Sequence, residues 1–225
     1  MSSVARPERR APGWPLGAAG TALLIAGCLL VGTAGGVALH HLRLSHPARS
    51  VAVASLPSHA LAGDMTWRAG QRPAPAFSLR DQSNRLVSLS SRRGRVVLLT
   101  FMDSRCKLLC TLQGPAVAHV LHRAGQHRPV SLLVVSVNPW EDTPQSSAEA
   151  AARYGFAGDW HWLRGTPAQL RPVWRAYGIG VERASDDVDH STAIYLIDKS
   201  GFERAGFNFP FPSAKVARDL TALAG

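Results

Sequence analysis

The chain has 225 residues, of which 46% are hydrophobic and 18% are charged, and it contains three cysteines. This composition is too apolar for a disordered chain, and the length exceeds that of a disulfide-stapled miniprotein, so one folded domain with additional segments is expected. The formal net charge of +10 would suit a nucleic-acid-binding protein, but the basic residues are scattered and no run is longer than Arg92-Arg93. The sequence has neither a basic helix interleaved with aromatic residues nor a zinc-finger spacing, so nucleic acid is not expected as a partner.

The N-terminal segment has the composition of a membrane anchor. Leu16–Leu39 comprises 24 mostly apolar residues within a stretch, Ala11–Leu42, that has no charged side chain. As a helix it would be about 36 Å long, enough to cross a hydrocarbon core of ~30 Å. Arginines among the first ten residues favour a cytoplasmic location for residues 1–15. The sequence therefore predicts a protein of the bacterial inner membrane, with its folded part on the periplasmic side.

Cys28 leaves a second interpretation of this segment open. Ile25-Ala26-Gly27-Cys28 resembles a bacterial lipobox, in which the cysteine becomes the lipidated first residue after cleavage of the signal. The residues from Leu29 to Leu39 remain apolar, whereas mature lipoproteins usually continue with polar residues, so an uncleaved anchor over residues 16–39 is favoured. In both cases residues 40–72, rich in Ala, Ser, Pro, His and Gly, are predicted to form a linker that separates Cys28 from the folded domain.

The folded domain is expected over residues 73–225, beginning with a hairpin and a buried strand. Phe77–Leu79 and Leu86–Leu89 flank a polar turn. Val96–Met102 is a continuous apolar run, as in a strand that is buried on both faces, and Val130–Val137 is a second run of this kind. Between these two runs, a helix is predicted from apolar residues at helical spacing: Leu112, Ala116, Val117, Val120 and Leu121.

Three further helices and a second hairpin complete the predicted domain. Thr143 and Thr166 each precede a proline, the pattern of an N-cap and a first helical residue, and predict helices that reach about Tyr154 and Tyr177. The last predicted elements are a hairpin and a helix, over Ala193–Ile197, Phe202–Gly206 and Ser213–Leu223. The order β-α-β, helix, β-β-α is typical of a thioredoxin-like α/β fold, here with an insertion and an added N-terminal hairpin.

The two remaining cysteines follow the first central strand. Cys106 and Cys110 come directly after Val96–Met102, at the strand end where α/β sheets place their ligands. The partial positive charge at a helix start lowers the pKa of a thiol there. Two adjacent thiolates have two functional uses in an oxidising compartment: they cycle as a disulfide, or they bind a soft metal such as Cu(I). An inert structural disulfide is a third interpretation, and the spacing alone does not decide among them.

His190 is the candidate third ligand. It precedes Ala193–Ile197, a strand that in thioredoxin-like folds lies beside the first central strand, so its loop is expected close to the cysteines. An imidazole in this loop would add a third donor to two thiolates. Asp186, Asp187 and Asp189 flank the histidine and would orient it or raise the local affinity for cations. At least two of these acids are nevertheless expected to be ordinary solvated loop residues.

Further motifs accompany these three residues along the chain. From about Pro73 to Ile197 they are Pro75–Leu79, Val96–Phe101, Cys106 with Cys110, Ser136–Pro139, Asp142–Pro144, Tyr177-Gly178 and Asp189–Ser191. In this order they resemble the SCO/SenC family, the copper chaperones of cytochrome c oxidase assembly. The resemblance implies a membrane-tethered thioredoxin-like domain that binds one copper ion through Cys106, Cys110 and His190. It also implies that the partner is the copper-bearing subunit of cytochrome c oxidase, which receives copper or has its cysteines reduced, with other copper carriers as further partners.

The chain departs from the family pattern around both cysteines. Lys107 and Thr111 replace the usual prolines, and Asn138 stands where the family has an aspartate. Pro115 is easiest to accommodate in the first turn of a helix, which predicts a late helix start that leaves Cys106 to Cys110 in an adaptable loop. Lys107 would favour thiolates and oppose a bound cation. A copper site of altered affinity or redox behaviour is therefore expected.

Two functions of different classes follow from these patterns. A copper chaperone requires Cys106, Cys110 and His190 and performs no catalytic turnover. A thiol-disulfide oxidoreductase requires the two cysteines and would keep its activity without His190. The resemblance favours the chaperone. Peroxide reduction is disfavoured, because such enzymes surround the attacking cysteine with an activating threonine and arginine, and only Arg105 is adjacent here.

Overall fold

The computed structural model describes residues 60–125, 128–184 and 187–225. The predicted membrane anchor, the Cys28 motif and most of the predicted linker lie outside these ranges. Within the ranges, no helix is both long and apolar enough to cross a membrane.

The described part of the chain contains ten strands, four α-helices and one short 3-10 helix at Ser90–Arg92. The strands are β1 (Met65–Thr66), β2 (Ser78–Arg80), β3 (Leu86–Ser88), β4 (Val96–Met102), β5 (Val130–Ser136), β6 (Trp160–Leu163), β7 (Val181–Arg183), β8 (Val188–His190), β9 (Ala193–Ile197) and β10 (Glu203–Asn208). The helices are α1 (Leu109–Ala124), α2 (Pro144–Tyr154), α3 (Pro167–Ala176) and α4 (Ser213–Ala224).

Six of the strands form one mixed sheet in the order β1-β10-β9-β4-β5-β6. Strands β4, β5 and β6 run parallel, whereas β9 pairs antiparallel with β4. All seven residues of the central strand β4 are buried, as the apolar run predicted. The parallel β4-α1-β5 unit together with the antiparallel β9-β10 hairpin is the arrangement of a thioredoxin-like fold. The fold class predicted from the order of the elements is therefore confirmed for the described domain, including the added β2-β3 hairpin.

The sheet separates two cores, because successive side chains along a strand point to opposite faces. On one face, Leu98 packs in a cluster with Val117 of α1 and residues of α2 and α4. On the other face, Leu99 packs in a cluster with Trp174 of α3, the β2-β3 hairpin and Val188 of β8. Helix α1, which carries a cysteine, and strand β8, which carries a histidine, thus approach from different layers and meet beyond the carboxyl end of β4.

The predicted starts of α2 and α3 are confirmed. The Thr143 hydroxyl accepts a hydrogen bond from the Ser146 amide at 3.0 Å, and the Ser146 hydroxyl accepts one from the Thr143 amide at 2.9 Å. Thr166 and Gln169 form the same reciprocal pair at the start of α3. Each pair satisfies amide groups that a helix start leaves without partners.

The predicted late start of the first helix is wrong. Helix α1 begins at Leu109, so Cys110 lies in its first turn and Pro115 lies inside the helix. A proline there removes the hydrogen bond to the carbonyl four residues earlier, which belongs to Thr111. Both Pro115 and Thr111 are exposed, so water can bind that carbonyl. The position of Pro115 on the solvent side of the helix explains why it does not delay the helix start.

The predicted buried face of this helix is also partly wrong. Leu112 is 60% exposed, whereas Gln113 and Gly114 are buried. A Cβ atom on Gly114 would lie 2.3 Å from the ring of Tyr154, so only glycine permits the close packing of α1 against α2 at this point. With Gln113 and Gly114 buried on the inner face of the helix, Leu112 lies on its solvent side.

The folded domain begins before the predicted boundary at residue 73. Met65 and Thr66 pair with Gly206 and Ala205 of β10, so the end of the predicted linker belongs to the sheet. The sequence pattern also does not predict β6 or the β7-β8 hairpin. Strands of three or four residues are too short to show a hydrophobic period. The partner of β6 is also distant in sequence, since Leu132 of β5 pairs with Trp160.

Candidate metal centre

The sulfur of Cys106 serves as the acceptor at the start of α1. The N-cap residue, Leu108, has no side chain that can accept a hydrogen bond, and the amide of Cys110 instead donates to Cys106 Sγ at 3.3 Å. A sulfur in this position satisfies one of the free amides and lies at the positive end of the helix dipole. Cys106 is partly exposed and Cys110 is fully buried, and neither forms a disulfide.

The two thiols have opposite pKa shifts. A hydrogen bond from the Cys110 thiol, supported by backbone amides of Cys110 and Leu108, lowers the pKa of Cys106 to about 6 against the opposing effect of burial. The same contact with Cys106, together with burial, raises the pKa of Cys110. At neutral pH the pair therefore consists of a Cys106 thiolate and a Cys110 thiol.

Strand pairing brings His190 to the cysteines. Antiparallel pairing of β9 with β4 places the loop before β9 beside the end of β4, and His190 Nε2 lies 3.7 Å from Cys110 Sγ. The Nδ1 of His190 lies 3.0 Å from the carbonyl of Ser191, so Nδ1–H donates to that oxygen and Nε2 is the unprotonated nitrogen. Burial lowers the pKa of His190 despite the Ser191 carbonyl and nearby carboxylates, which keeps the ring neutral. The buried Cys110 thiol thus has two acceptors, a thiolate and an imidazole nitrogen.

Asp103 and Asn138 hold the segment between β4 and Cys106. The Asp103 carboxylate is buried, and it accepts hydrogen bonds from the Arg105 amide at 2.7 Å and from Asn138 Nδ2 at 3.1 Å. Burial raises the pKa of Asp103. An aspartate at position 138 would place a second carboxylate against Asp103, so the departure of Asn138 from the family pattern is explained by this pair. The sequence analysis did not identify Asp103 as part of the site. Its position directly after the central strand is the feature that could have indicated it.

Asp142 also holds the segment between β4 and Cys106, through hydrogen bonds from Ser104. One of its oxygens accepts hydrogen bonds from the Ser104 amide at 2.9 Å and the Ser104 hydroxyl at 2.5 Å. The other accepts from the Ser136 hydroxyl at 2.5 Å and the Trp162 indole at 3.2 Å. Arg153 Nη2 adds a hydrogen bond to the Ser104 carbonyl at 3.0 Å. Asp142 occurs in a motif that the sequence singled out, but its partners cannot be identified from the sequence.

The remaining charged candidates within the described residues are exposed to solvent. Asp187, Asp189 and Lys107 are exposed, and Asp186 lies outside the described residues. Across the described ranges, no three His, Cys, Asp or Glu side chains already stand together as a group able to hold a metal ion. Cys106, Cys110 and His190 are neighbours, but they are not arranged as a closed metal cluster.

The asymmetry of the thiols predicts their reactivity in the metal-free, reduced protein. Iodoacetamide is expected to alkylate Cys106 at a rate that rises through a midpoint near pH 6, because only the thiolate attacks. Cys110 is expected to stay unmodified over the same range, since its pKa is raised and its side chain is buried. Peptide mapping by mass spectrometry at a series of pH values measures both rates. Equal alkylation of the two cysteines would contradict this assignment.

The fold and the site together define a thioredoxin-like protein that presents a dithiol and a histidine at the end of its central strand. The SCO1/SenC family model matches residues 66–225, and the chain belongs to this family.

Comparison with individual proteins supports this assignment. The chain is 30% identical over 158 residues to the mitochondrial SCO2 homolog of Bos taurus, a match that covers 64% of this chain and 56% of the bovine protein's length. It resembles the structure of Bradyrhizobium japonicum ScoI with copper bound, with 26% identity and a TM-score of 0.59 over 67% of this chain and 99% of that one. The fold also matches Arabidopsis thaliana ScoI with copper bound, at 20% identity and a TM-score of 0.61 over 66% of this chain and 96% of that one.

Proposed function

We propose that this protein binds one copper ion through Cys106, Cys110 and His190 and delivers it to another protein. The observation that carries the proposal is the position of Cys110, whose Sγ lies 3.7 Å from His190 Nε2 and whose amide donates a hydrogen bond to Cys106 Sγ at 3.3 Å. Two sulfurs and one imidazole nitrogen are the donor set that soft or borderline metals such as copper prefer.

The separation of His190 Nε2 and Cys110 Sγ suits two ligands of one metal ion. Metal–sulfur and metal–nitrogen bonds of about 2.3 and 2.0 Å place two donors of one ion roughly 3 to 4 Å apart, and the 3.7 Å between His190 Nε2 and Cys110 Sγ falls in that range. Binding displaces the proton that the Cys110 thiol holds between its two acceptors. Cys106 is already ionised and His190 is neutral near pH 7, so Cys110 is the ligand that must release a proton.

Similarity to related proteins supports copper as the bound ion and cytochrome c oxidase as the protein that receives it. The Bradyrhizobium japonicum relative is described with copper bound, and the resemblance of the site motifs implies the copper-bearing oxidase subunit as recipient. Leu16–Leu39 would tether the domain to the bacterial inner membrane, with the copper site on the periplasmic side. In this function the chain carries copper and catalyses no reaction.

A thiol-disulfide oxidoreductase is the second candidate. An ionised, partly exposed Cys106 beside a protonated, buried Cys110 is the arrangement in which one thiolate attacks a disulfide and the neighbouring thiol later resolves the mixed disulfide. This chemistry needs no contribution from His190.

Replacement of His190 separates the two functions. His190→Ala in the full-length, reduced protein is expected to weaken copper binding by at least about a hundredfold, since loss of a group that merely supports a ligand already costs ten- to a hundredfold. The exposed His119 on α1 provides the control, and His119→Ala is expected to bind copper like the wild type. Competition titration with a chelator measures the affinities.

Two results would overturn this ranking. Unchanged copper binding in His190→Ala would remove the histidine from the site. Rapid dithiol-dependent reduction of a model disulfide by the wild type and by His190→Ala alike, in a protein that does not take up copper, would place the oxidoreductase first.

A further inference from the structure

A groove of about 340 Å³ lies between α3, β7 and the loop after β5. Its floor is apolar and is formed in part by the buried residues Trp174 and Ile179. Trp140, which is 37% exposed, lies on one wall, and the guanidinium of Arg183 stacks over its ring at 4.8 Å. A large aromatic side chain held at the surface in this way is a typical anchor for a binding partner.

Three arginines line this groove, and no carboxylate does. Arg171 and Arg175 lie one turn apart on α3, and Arg183 lies opposite them on β7. All three are exposed, and among the ion pairs of the described residues none includes them. Like charges four residues apart on a helix are mildly destabilising. The groove therefore keeps three positive charges without an internal partner.

The groove is continuous with the surroundings of His190. Val181 lines both the groove and the neighbouring cavity that contains His190. In the β7-β8 hairpin, Val181 pairs directly with His190, and Arg183 pairs with Val188. Arg183 and His190 thus lie on one face of the same hairpin, while Glu182 and Asp189 lie on its other face.

We propose that this groove binds an acidic segment, carrying an apolar or aromatic side chain, of the protein that exchanges copper with the site. The identification of the partner as a copper-exchanging protein rests on the proposed function, whereas the binding of an acidic segment does not. Arginine guanidinium groups bind carboxylates in bidentate geometry even when one face is stacked on an aromatic ring. Carboxylates facing the three arginines would supply the missing charges, and an apolar side chain would contact Trp140 and Trp174.

A short acidic peptide segment fits this groove better than a long polyanion. The exposed carboxylates Glu182, Asp187 and Asp189 lie on the same hairpin as Arg183 and would repel phosphates that extend beyond the groove. A membrane surface would contact the rim of this concave site and would not reach the aromatic residues of its floor. The domain from Thr66 to Gly225 carries 20 basic and 13 acidic residues, a net charge of +7, which also favours the approach of an acidic protein.

The test uses the full-length protein and a fluorescein-labelled peptide of alternating glutamate and phenylalanine, with a glutamine-phenylalanine peptide for comparison. The wild type is expected to bind only the acidic peptide, and more weakly as salt is added, because exposed charges are screened over about 10 Å at 0.1 M salt. Arg171→Gln with Arg175→Gln is expected to weaken binding about tenfold. Trp140→Phe is expected to reduce the change in intrinsic tryptophan fluorescence that accompanies binding, with the remaining change coming from Trp174.

A matched variant controls for overall charge. Arg123 and Lys215 are exposed residues of α1 and α4, on the opposite face of the sheet, and no ion pair among the described residues includes them. Arg123→Gln with Lys215→Gln removes the same charge and is expected to bind the acidic peptide like the wild type. Equal losses in the two double variants would overturn the proposal. Stronger binding of a single-stranded oligonucleotide or of phosphatidylglycerol vesicles, dependent on Arg171 and Arg175, would assign the groove to another class of partner and also overturn it.

Copper titration of the same variants keeps this inference distinct from the proposed function. Arg171→Gln with Arg175→Gln is expected to bind copper like the wild type, since neither arginine contacts the three ligands. A wild type that binds the acidic peptide but not copper would contradict the proposed function and leave the groove as a binding site. A wild type that binds copper but not the acidic peptide would contradict the groove alone.

Discussion

Cys110→Ser is expected to abolish stoichiometric copper uptake by the full-length protein, whereas Cys28→Ser is expected to leave it intact. Cys110 is fully buried and is the only one of the three proposed ligands in contact with both others. A serine hydroxyl is a hard donor that stays protonated near neutral pH, so it replaces neither the softness nor the charge of a thiolate. Two remaining donors, Cys106 and His190, would hold copper far more weakly than three.

Cys28→Ser is the matched control, since it replaces the third cysteine of the same chain, which is not a proposed ligand. Copper bound per chain after gel filtration, together with the thiolate-to-copper absorption, measures the effect. Circular dichroism distinguishes loss of the site from loss of the fold, because serine is nearly isosteric with cysteine. Copper retained by Cys110→Ser, or lost from Cys28→Ser, would show that the cysteine pair is not the site.

Asp142→Ala is expected to lower the free energy of unfolding by about 3 kcal/mol and to weaken copper binding by about tenfold or more. The carboxylate accepts hydrogen bonds from the Ser104 amide and hydroxyl, the Ser136 hydroxyl and the Trp162 indole. Alanine leaves these buried donors without an acceptor. Ser104 lies two residues before Cys106, so loss of the network also loosens the segment that positions the first sulfur.

The pH dependence of stability provides a second readout. Burial raises the pKa of Asp142 to about 6 from an ordinary value of 3.8, against the opposing hydrogen bonds from Ser104 and Ser136. The folded protein then holds a proton that the unfolded chain has already released, so this group's contribution to stability falls as the pH rises from about 4 to about 6. Above that range its contribution is constant. We expect the stability of Asp142→Ala to lack this decrease between about pH 4 and about pH 6.

Two variants control this prediction. Asp142→Asn keeps an acceptor for Ser104 but turns an amide N–H towards the Trp162 indole, so a smaller loss of stability is expected. Glu149→Ala removes an exposed carboxylate of α2 that, among the residues the structure describes, bonds only to Gln145, and is expected to be neutral. Urea denaturation from pH 4 to pH 7 measures all of them. A loss in Glu149→Ala as large as in Asp142→Ala would contradict the role of the network.

The fold could be predicted largely because its central elements have strong local signals. The apolar run of Val96–Met102 indicates a strand buried on both faces, and Thr143-Pro144 and Thr166-Pro167 carry cap and first residue side by side. The start of α1 lacks such a signal. Its capping atom is Cys106 Sγ, and Pro115 is tolerated because it faces solvent, and neither fact is visible in the spacing of apolar residues.

The fold class and the three candidate ligands can be identified from local patterns, because runs, caps and the order of elements are properties of neighbouring residues. Cys106, Cys110 and His190 also stand next to recognisable strands. The surroundings of these ligands, in contrast, depend on tertiary contacts. Asn138 meets Asp103 across 35 residues of chain, and Ser104 meets Asp142 across 38. The cluster of Arg171, Arg175 and Arg183 likewise exists only because α3 and β7 pack beside the same loop. Such contacts depend on how separate elements pack, which no local pattern encodes.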